Sequence, residues 1–388
     1  MEGIGSMVKG DRTIWIVVII LSIFSVLAVY SSTGTLAYKY QQGNTEYYLL
    51  KHLAILIGGL ILMYLAHNVK YTYYSRISQL LIWIAVPMLV ITLFMGTTLN
   101  QAPRWLTLPV VGITFQTSDL AKLALIMFVA RLLSKKQSQI KDLKQAFLPI
   151  IFPVLLVCGL ILPANLSTAA VLFMTCLCLM FIGRIKIKYI LSLMGIGVVG
   201  LFCVVGLLML TPSQGRLETW KNRIENFASG EGEGNYQVQQ SKIAIAKGGW
   251  MGVGPGNSTQ RNFLPHPYSD FIFAIIIEEY GLMGATVVLL MYLILLFRTI
   301  RIVSRSPGAF GTLLAMGCCF SLVFQAMINM AVAVNLFPVT GLALPLVSMG
   351  GTSILFTSIA LGIILSVSKS TGEEENTVPK GRQNLAVA

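Results

Sequence analysis

The sequence predicts an all-α polytopic membrane protein with about ten transmembrane helices, and three observations carry that prediction. Of 388 residues, 55% are hydrophobic and only 11% charged, whereas a soluble domain is about a quarter charged. Mean hydropathy is +0.77. The apolar residues fall in long runs, and a membrane span needs about 20 of them. The basic residues sit in short clusters between those runs, so the formal charge of +13 is a topology signal and not a nucleic-acid signal.

The runs lie at 13–32, 48–66, 77–96, 113–133, 146–163, 168–183, 189–210, 269–297, 308–330 and 350–368. The first has no clear cleavage site behind it and reads as a retained anchor. Cytoplasmic loops carry the excess of Lys and Arg. With both termini inside, 18 of the 28 basic residues are cytoplasmic, so both termini are expected in the cytoplasm. Residues 1–370 then form one transmembrane domain, with a large extracytoplasmic loop at about 211–268 between helices 7 and 8. Residues 371–388 are expected to be a disordered cytoplasmic tail.

Inner loops are short and basic, and the outer segments hold the unusual residues. The run from Phe337 to Gly351 is rich in Pro and Gly yet mostly apolar. It is expected to dip into the outer half of the membrane, because non-helical backbone survives there only when buried in protein or lining a wet cavity. No internal repeat is evident, which argues against transporter folds built from inverted halves.

Ionisable residues within spans are functional candidates. Asp119 and Lys122 fall in the fourth span, at a spacing that lets them touch on a helix; a neutralised pair joining two helices explains them equally well. Asp270, Glu278 and Glu279 fall in the eighth. Ser269 or Asp270 could cap that helix. Glu278 lies about 12 Å further along the axis and roughly 80° around it, and Glu279 points nearly opposite Asp270. The three are therefore not a facing carboxylate pair. Glu278 and Glu279 are expected to bind neighbouring helices, which leaves Asp270 as a single candidate base at the outer surface. Arg104, beside Trp105, is either an interfacial anchor or a phosphate-gripping residue.

Other chemistry is poorly represented. The sequence has no G-x-S-x-G elbow and no Walker A motif, and His52, His67 and His266 lack metal-ligand spacing. The six cysteines all lie in apolar segments and read as small packed residues. The stretch "GVGPGNS" from Gly252 has no βαβ context; its amides could cradle a phosphate, and a plain turn is the simpler reading.

Three long motifs resemble the SEDS family, that of FtsW, RodA and SpoVE, over nearly the whole chain. "RWLTLPVVGITFQTSDLAKLA" resembles the family's R-W…Q-P-S-E-x-x-K-L. "YQVQQSKIAIAKGGWMGVGPGNSTQRNFLPHPYSDFIFAIIIEEYG" resembles its Q-S…G-N-S-x-Q…T-D-F-I-F-A…E-E-x-G. "QAMINMAVAVNLFPVTGLALPLVSMGGTS" is similar to its third block. "NRIENF" and "GNSTQ" are nearer the FtsW branch, and "KGDRTIW" is similar to FtsW of Bacteroidetes-type bacteria. Three departures stand out. The family's P-S-E becomes Thr117-Ser118-Asp119, an acid after the fifth span becomes Asn165, and P-E-A-H-T-D becomes Pro265-His266-Pro267-Tyr268-Ser269-Asp270.

The resemblance implies a peptidoglycan glycosyltransferase that polymerises lipid II at the outer face of the bacterial inner membrane, at the division septum. Its implied partners are a class B penicillin-binding protein and other division proteins. The family's catalytic acid falls on Asp270. Arg104 and Lys122 become candidates for the diphosphate, possible companions of Mg²⁺ or another divalent cation. Gln116, Ser118, Thr340 and Ser348 join them as expected substrate-binding residues, and Gln237, Gln240, Asn257 and Gln260 as candidate sugar contacts. Asp119, Glu278, Glu279 and Asn329 are expected to shape the pocket. A lipid II flippase and a non-catalytic division scaffold are the rival readings.

Overall fold

A computed structural model of the chain describes residues 9–40, 43–99, 102–107, 114–210, 233–306 and 308–377. Helices occupy all ten apolar runs: α1 (Arg12–Ser32), α3 (Thr45–Asn68), α4 (Tyr74–Met95), α5 (Thr117–Lys135), α6 (Leu148–Ile161), α7 (Leu166–Ile182), α8 (Ile187–Leu210), α10 (Ile272–Arg305), α11 (Ala309–Ala333) and α12 (Thr352–Thr377). Two more helices lie between them, α2 (Gly34–Tyr40) and α9 (Glu233–Gly248). Seven of the described helices are long and apolar enough to cross a membrane by length and composition. Large side chains such as Trp83 and Phe94 of α4 remain mostly exposed, as expected of a surface that faces lipid.

Three features depart from the expected outline. A three-stranded antiparallel sheet, β1 (Thr97–Leu99), β2 (Ala102–Thr107) and β3 (Thr114–Gln116), lies between α4 and α5. Trp105 pairs with Gln116, Leu106 with Phe115 and Thr107 with Thr114. The fourth apolar run thus begins in a strand, where threonine and aromatic residues suit a pleated surface, and its helix starts at Thr117. Helix α12 continues to Thr377, past the expected domain end at 370. Residues 378–388 of the expected tail, and 211–232 of the expected outer loop, lie outside the described residues.

One end of the bundle is tied by polar contacts between segments expected on the cytoplasmic side. Arg298 near the end of α10 donates through Nε to Asp11 Oδ2 at 2.9 Å. Asp11 also caps α1, accepting from Thr13 and Ile14 backbone amides. Tyr74 Oη donates to the Ala66 carbonyl at 2.7 Å, joining α4 to α3.

Helix α10 is broken at Gly281, whose φ of 66° and ψ of −168° interrupt its hydrogen-bond ladder. The segment after α9 supplies the missing partners. Val253 and Gly254 amides donate to the Glu278 and Glu279 carbonyls, and Leu282 and Met283 amides donate to the Gly249 and Trp250 carbonyls. The two backbones approach so closely that a Cβ at Gly252 would lie 2.2 Å from the Glu279 carbonyl oxygen. Gly252 also has a φ of 80°, so glycine is required there on two counts.

Between α11 and α12, residues 334–351 form neither helix nor strand. This strap is nonetheless buried: Leu342, Leu344, Leu346, Val347 and Ser348 are all in the interior. Side chains from surrounding helices satisfy its carbonyls. Ser25 Oγ of α1 donates to Val347 at 2.9 Å and Tyr292 Oη of α10 to Pro345 at 2.5 Å. From α11, Gln325 Nε2 donates to Ala343 at 2.8 Å and Asn329 Nδ2 to Leu342 at 2.7 Å.

The Gly252→Ala variant should lose at least about 2 kcal/mol of stability, since a side chain there meets both steric overlap and a left-handed backbone. Thermal unfolding in detergent micelles checks this, and an unchanged midpoint would contradict the close approach.

Candidate active site

A cavity of about 370 Å³ opens at the end of the bundle opposite the Asp11–Arg298 pair. One wall is the turn before α10, with His266, Tyr268, Ser269 and Asp270. The strap supplies Gly341, Leu342, Ala343, Met349, Gly350 and Gly351, and α11 supplies Gln325. Gln116, Asp119 and Lys122 come from the end of β3 and the first turns of α5, Asn165 and Thr168 from the start of α7, and Ser353 from the start of α12. Trp105 of β2 completes the lining. Four helices therefore begin at the cavity, α5, α7, α12 and, just past Asp270, α10, each presenting the positive end of its dipole.

Asp270 does not cap α10. The N-cap is Phe271, without a side-chain cap bond, and the Asp270 carboxylate instead accepts from Ser269 Oγ at 3.0 Å. What places Asp270 is the backbone around it. Three successive carbonyls are each held: Tyr268 by the Met349 amide at 2.9 Å, Ser269 by Ser348 Oγ at 2.7 Å and Asp270 by Asn329 Nδ2 at 2.9 Å. Strap and α11 thus fix the turn, leaving its side chain to line the cavity.

On the same cavity lining, Lys122 Nζ lies 3.5 Å from Asp119 Oδ1 and donates to Gln325 Oε1 at 3.0 Å. The α-helical spacing of the pair brings them into contact, and Gln325 links them to α11. Asp119 Oδ2 is buried with no hydrogen-bond partner among the described residues, so the pair does not exhaust its own acceptors.

Glu278 and Glu279 lie outside the cavity lining and are 0% and 1% exposed. Their partners come from the loop after α9 and, as expected, from neighbouring helices, Lys247 of α9 and Ser31 of α1. Glu278 accepts from the Thr259 amide at 3.0 Å, the Gln260 amide at 3.2 Å, the Thr259 and Ser258 hydroxyls, and lies 3.7 Å from Lys247 Nζ. Glu279 accepts from the Ser258 amide at 3.3 Å and from the hydroxyl of Ser31 on α1. A buried carboxylate needs such donors to offset desolvation. In the stretch from Gly252 to Ser258, the amides of Gly252, Val253, Gly254 and Asn257 are spent on backbone carbonyls and that of Ser258 on the Glu279 carboxylate, so the plain turn is the reading that holds.

The expected substrate-binding residues divide accordingly. Gln116 and Lys122 line the cavity with Asp270, and Asp119 lines it beside them. Ser118 accepts from Gln116 Nε2 at 3.0 Å and borders an adjacent cleft instead. Ser348 is 1% exposed and receives the Leu344 amide at 2.7 Å, so it holds backbone and does not face the cavity. Thr340 sits in the strap beside Gly341 without lining the cavity. Gln260 is buried in its loop, Asn257 Nδ2 folds back onto the Val253 carbonyl at 3.2 Å, and Gln237 and Gln240 lie on α9. None of these four lines the cavity. The Arg104 side chain lies outside the described residues. Trp105, Thr168 and Ser353 line the cavity without a role expected from the sequence, and Asn165, His266 and Tyr268, which depart from the family's pattern, line it too. Asn165 had a local signal, since it caps α7 by accepting from the Thr168 amide at 3.2 Å.

The cell cycle protein family of FtsW, RodA and SpoVE matches residues 11–373. The chain belongs to that family. Among FtsW/RodA/SpoVE relatives, the stage V sporulation protein E of Bacillus subtilis is 34% identical over 367 residues, covering 92% of this chain and 97% of that protein. A probable peptidoglycan glycosyltransferase FtsW of Trichlorobacter lovleyi is 33% identical over 363 residues, covering 92% of this chain and 93% of its own. The fold is similar to a chain in a structure on the coordination of polymerization and crosslinking by a peptidoglycan synthase complex, with a TM-score of 0.74 at 24% identity over 93% of this chain and 98% of that one. It is also similar to the rod shape determining protein RodA of Thermus thermophilus, with a TM-score of 0.67 at 23% identity over 93% and 97%.

The Ser348→Ala variant should destabilise the protein by about 1–3 kcal/mol, because the Ser269 carbonyl and the Leu344 amide both lose a buried partner. The thermal midpoint of purified protein reads this, and an unchanged midpoint would contradict the role of Ser348 as a backbone clamp.

Proposed function

We propose that this chain is a peptidoglycan glycosyltransferase that polymerises lipid II at the outer face of the bacterial inner membrane. The observation that supports it most is one cavity lined by a backbone-anchored carboxylate, Asp270, and by a partly buried cation, Lys122. In this reading the cavity end of the bundle faces outward, the ten helices span the membrane and both termini are cytoplasmic.

The reaction joins two membrane-anchored disaccharide-peptides. The 4-hydroxyl of the acceptor GlcNAc attacks the anomeric carbon of the donor MurNAc, and undecaprenyl diphosphate leaves. A hydroxyl is a weak nucleophile, and Asp270 accepts its proton as the new bond forms. One carboxylate suffices for a single inverting displacement. Lys122, with the positive ends of α5, α7 and α12, stabilises the leaving diphosphate; Arg104 is a further candidate. Gln116 is placed to hydrogen-bond the sugars.

Among the described residues no three His, Cys, Asp or Glu side chains gather into a cation cage. Mg²⁺ commonly needs only one or two carboxylates plus substrate phosphates, and Asp119, with its orphaned oxygen, and Asp270 are the residues that would hold it. When bound, it would neutralise charge on the diphosphate. A class B penicillin-binding protein, which crosslinks the strands, and other division proteins at the septum complete the proposed setting.

Purified with a transpeptidase partner and supplied with lipid II, wild-type protein should make glycan strands. The Asp270→Asn variant, at equal folding, should lose about 10²–10⁴-fold in rate, the usual worth of a general base. Near-normal polymer from the variant would remove Asp270 as the base. No polymer, combined with faster lipid II transfer across protein-containing vesicles, would favour a flippase instead.

A further inference from the structure

Helices α5 and α7 both start at the cavity and run away from it, so their far ends share the opposite face of the bundle. The chain at and beyond each far end is strongly basic. Lys135, Lys141 and Lys144 come from the end of α5 and the α5–α6 loop, and Arg184, Lys186 and Lys188 from the α7–α8 turn. All six are exposed, and none forms an ion pair among the described residues. Asp142 is the only acid in either loop, and its carboxylate accepts the Lys144 and Gln145 amides. The Gln145 amide, the Lys144 amide and the charges of Lys186 and Lys144 hold its carboxyl below the usual carboxylate range, so both loops act on this one anion. The loops are also tied to each other. Gln137 Nε2 donates to the Leu133 carbonyl at 3.1 Å and to the Gly183 carbonyl at 3.3 Å. Lys136 Nζ donates to the Gln145 carbonyl, the Phe147 and Tyr189 rings lie 5.0 Å apart, and Lys186 Nζ stands 5.9 Å from the Tyr189 ring centre. The result is one cationic platform carried by α5, α6, α7 and α8.

We propose that this platform is a binding site for the headgroups of anionic phospholipids in the cytoplasmic leaflet. The inference rests on the orientation proposed above, in which this end of the bundle faces inward, and not on the reaction. Three observations go beyond the general excess of cations on that side of a membrane. First, Lys144 and Lys188 fall in the first turns of helical segments that start at Leu143 and Ile187. The helix dipole disfavours a cation there, and an external phosphate offsets that cost. Second, Arg184 ends α7 in the left-handed region, with a φ of 66°, where glycine is usual. A cation is kept at a position that glycine would occupy without strain. Third, apolar side chains stand exposed among and beside the cations: Leu143 next to Lys144, Ile187 between Lys186 and Lys188, and Phe181 and Leu191 on either side of the turn. A phospholipid meets both demands in one molecule, with phosphate for the cations and acyl chains for the apolar side chains.

The full chain, purified in a neutral detergent and titrated with a fluorescent phosphatidylglycerol, tests the site. Each charge removed near the headgroups weakens binding about fivefold, so a combined Lys141→Gln, Lys144→Gln and Lys188→Gln variant should bind about 10²-fold more weakly. A Lys70→Gln and Arg301→Gln variant removes two exposed cations of the same face outside the platform, and it should keep the wild-type affinity. Comparable weakening by both variants, or none by the first, would overturn the site. Should the first variant fail to fold by thermal melting, wild-type protein decides alone. In phosphatidylcholine nanodiscs, a phosphatidylglycerol with a photoreactive headgroup should label peptides around residues 135–148 and 184–191. Equal labelling by a photoreactive phosphatidylcholine would count against the proposal. So would a polyglutamate peptide that binds these lysines when phosphatidylglycerol does not, a result that points to an acidic protein partner. Neither readout uses lipid II, so a failure here leaves the glycosyltransferase reading standing, and a failure to polymerise leaves the lipid site standing. Labelling of Lys141 or Lys188 by an impermeant amine reagent added outside intact cells would overturn the orientation, and this site with it.

Discussion

A buried backbone without secondary structure must find hydrogen-bond partners among side chains, and this constraint organises the cavity. Lipid offers no partners, and each unmet carbonyl costs several kcal/mol there. The strap between α11 and α12 meets the requirement through Ser25, Tyr292, Gln325 and Asn329. Those four polar residues come from three different helices, so the strap can form only once the bundle is assembled. It in turn carries the Met349 amide and the Ser348 hydroxyl that hold the turn at Tyr268 and Ser269. The carboxylate of Asp270 is therefore positioned by contacts to the backbone of its own turn, and its side chain stays on the cavity wall.

The same physics recurs at Gly281. Breaking α10 in mid-helix releases carbonyls and amides that have no solvent to turn to, and the segment after α9 pairs with them strand-like across a glycine-only contact. Glu278 and Glu279 reinforce that junction by drawing amides and hydroxyls of the following loop onto buried carboxylates. Breaking such a pair is costly because it strands a buried charge. The loop after α9 is thus fastened to the helix whose start bears Asp270, though by residues that never reach the cavity.

Lys122 lines the same cavity under a different balance. A lone buried ammonium is expensive, and Asp119 with Gln325 offsets much of that cost without surrounding the cation. Gln325 uses its other end on the strap carbonyl of Ala343, so Lys122 and Asp270 are registered against one common piece of backbone. Among the described residues, helix starts, Lys122, Asp119 and the anchored Asp270 line the cavity, a set consistent with the proposed substrate, which carries a sugar hydroxyl and a diphosphate.

Run length, hydropathy and the placement of charge determined by themselves that the chain is a bundle of membrane helices, because a bilayer imposes length and apolarity on each span separately. They also singled out Asp270, Lys122 and Asp119, since ionisable residues in apolar runs are costly wherever they end up. The Pro- and Gly-rich run betrayed the strap by composition. Only the tertiary structure decided what each polar residue does. Ser348 and Asn329 read as pocket residues in the chain and prove to be backbone clamps. Glu278 and Glu279 hold a loop as well as the neighbouring helices, while Trp105, Asn165, Thr168, Tyr268 and Ser353 reach the cavity from four separate segments. The small sheet before α5 and the break at Gly281 were equally hidden. In each case the reason is the same: a hydrogen bond is satisfied by whichever group the fold brings near, and that partner can lie hundreds of residues away.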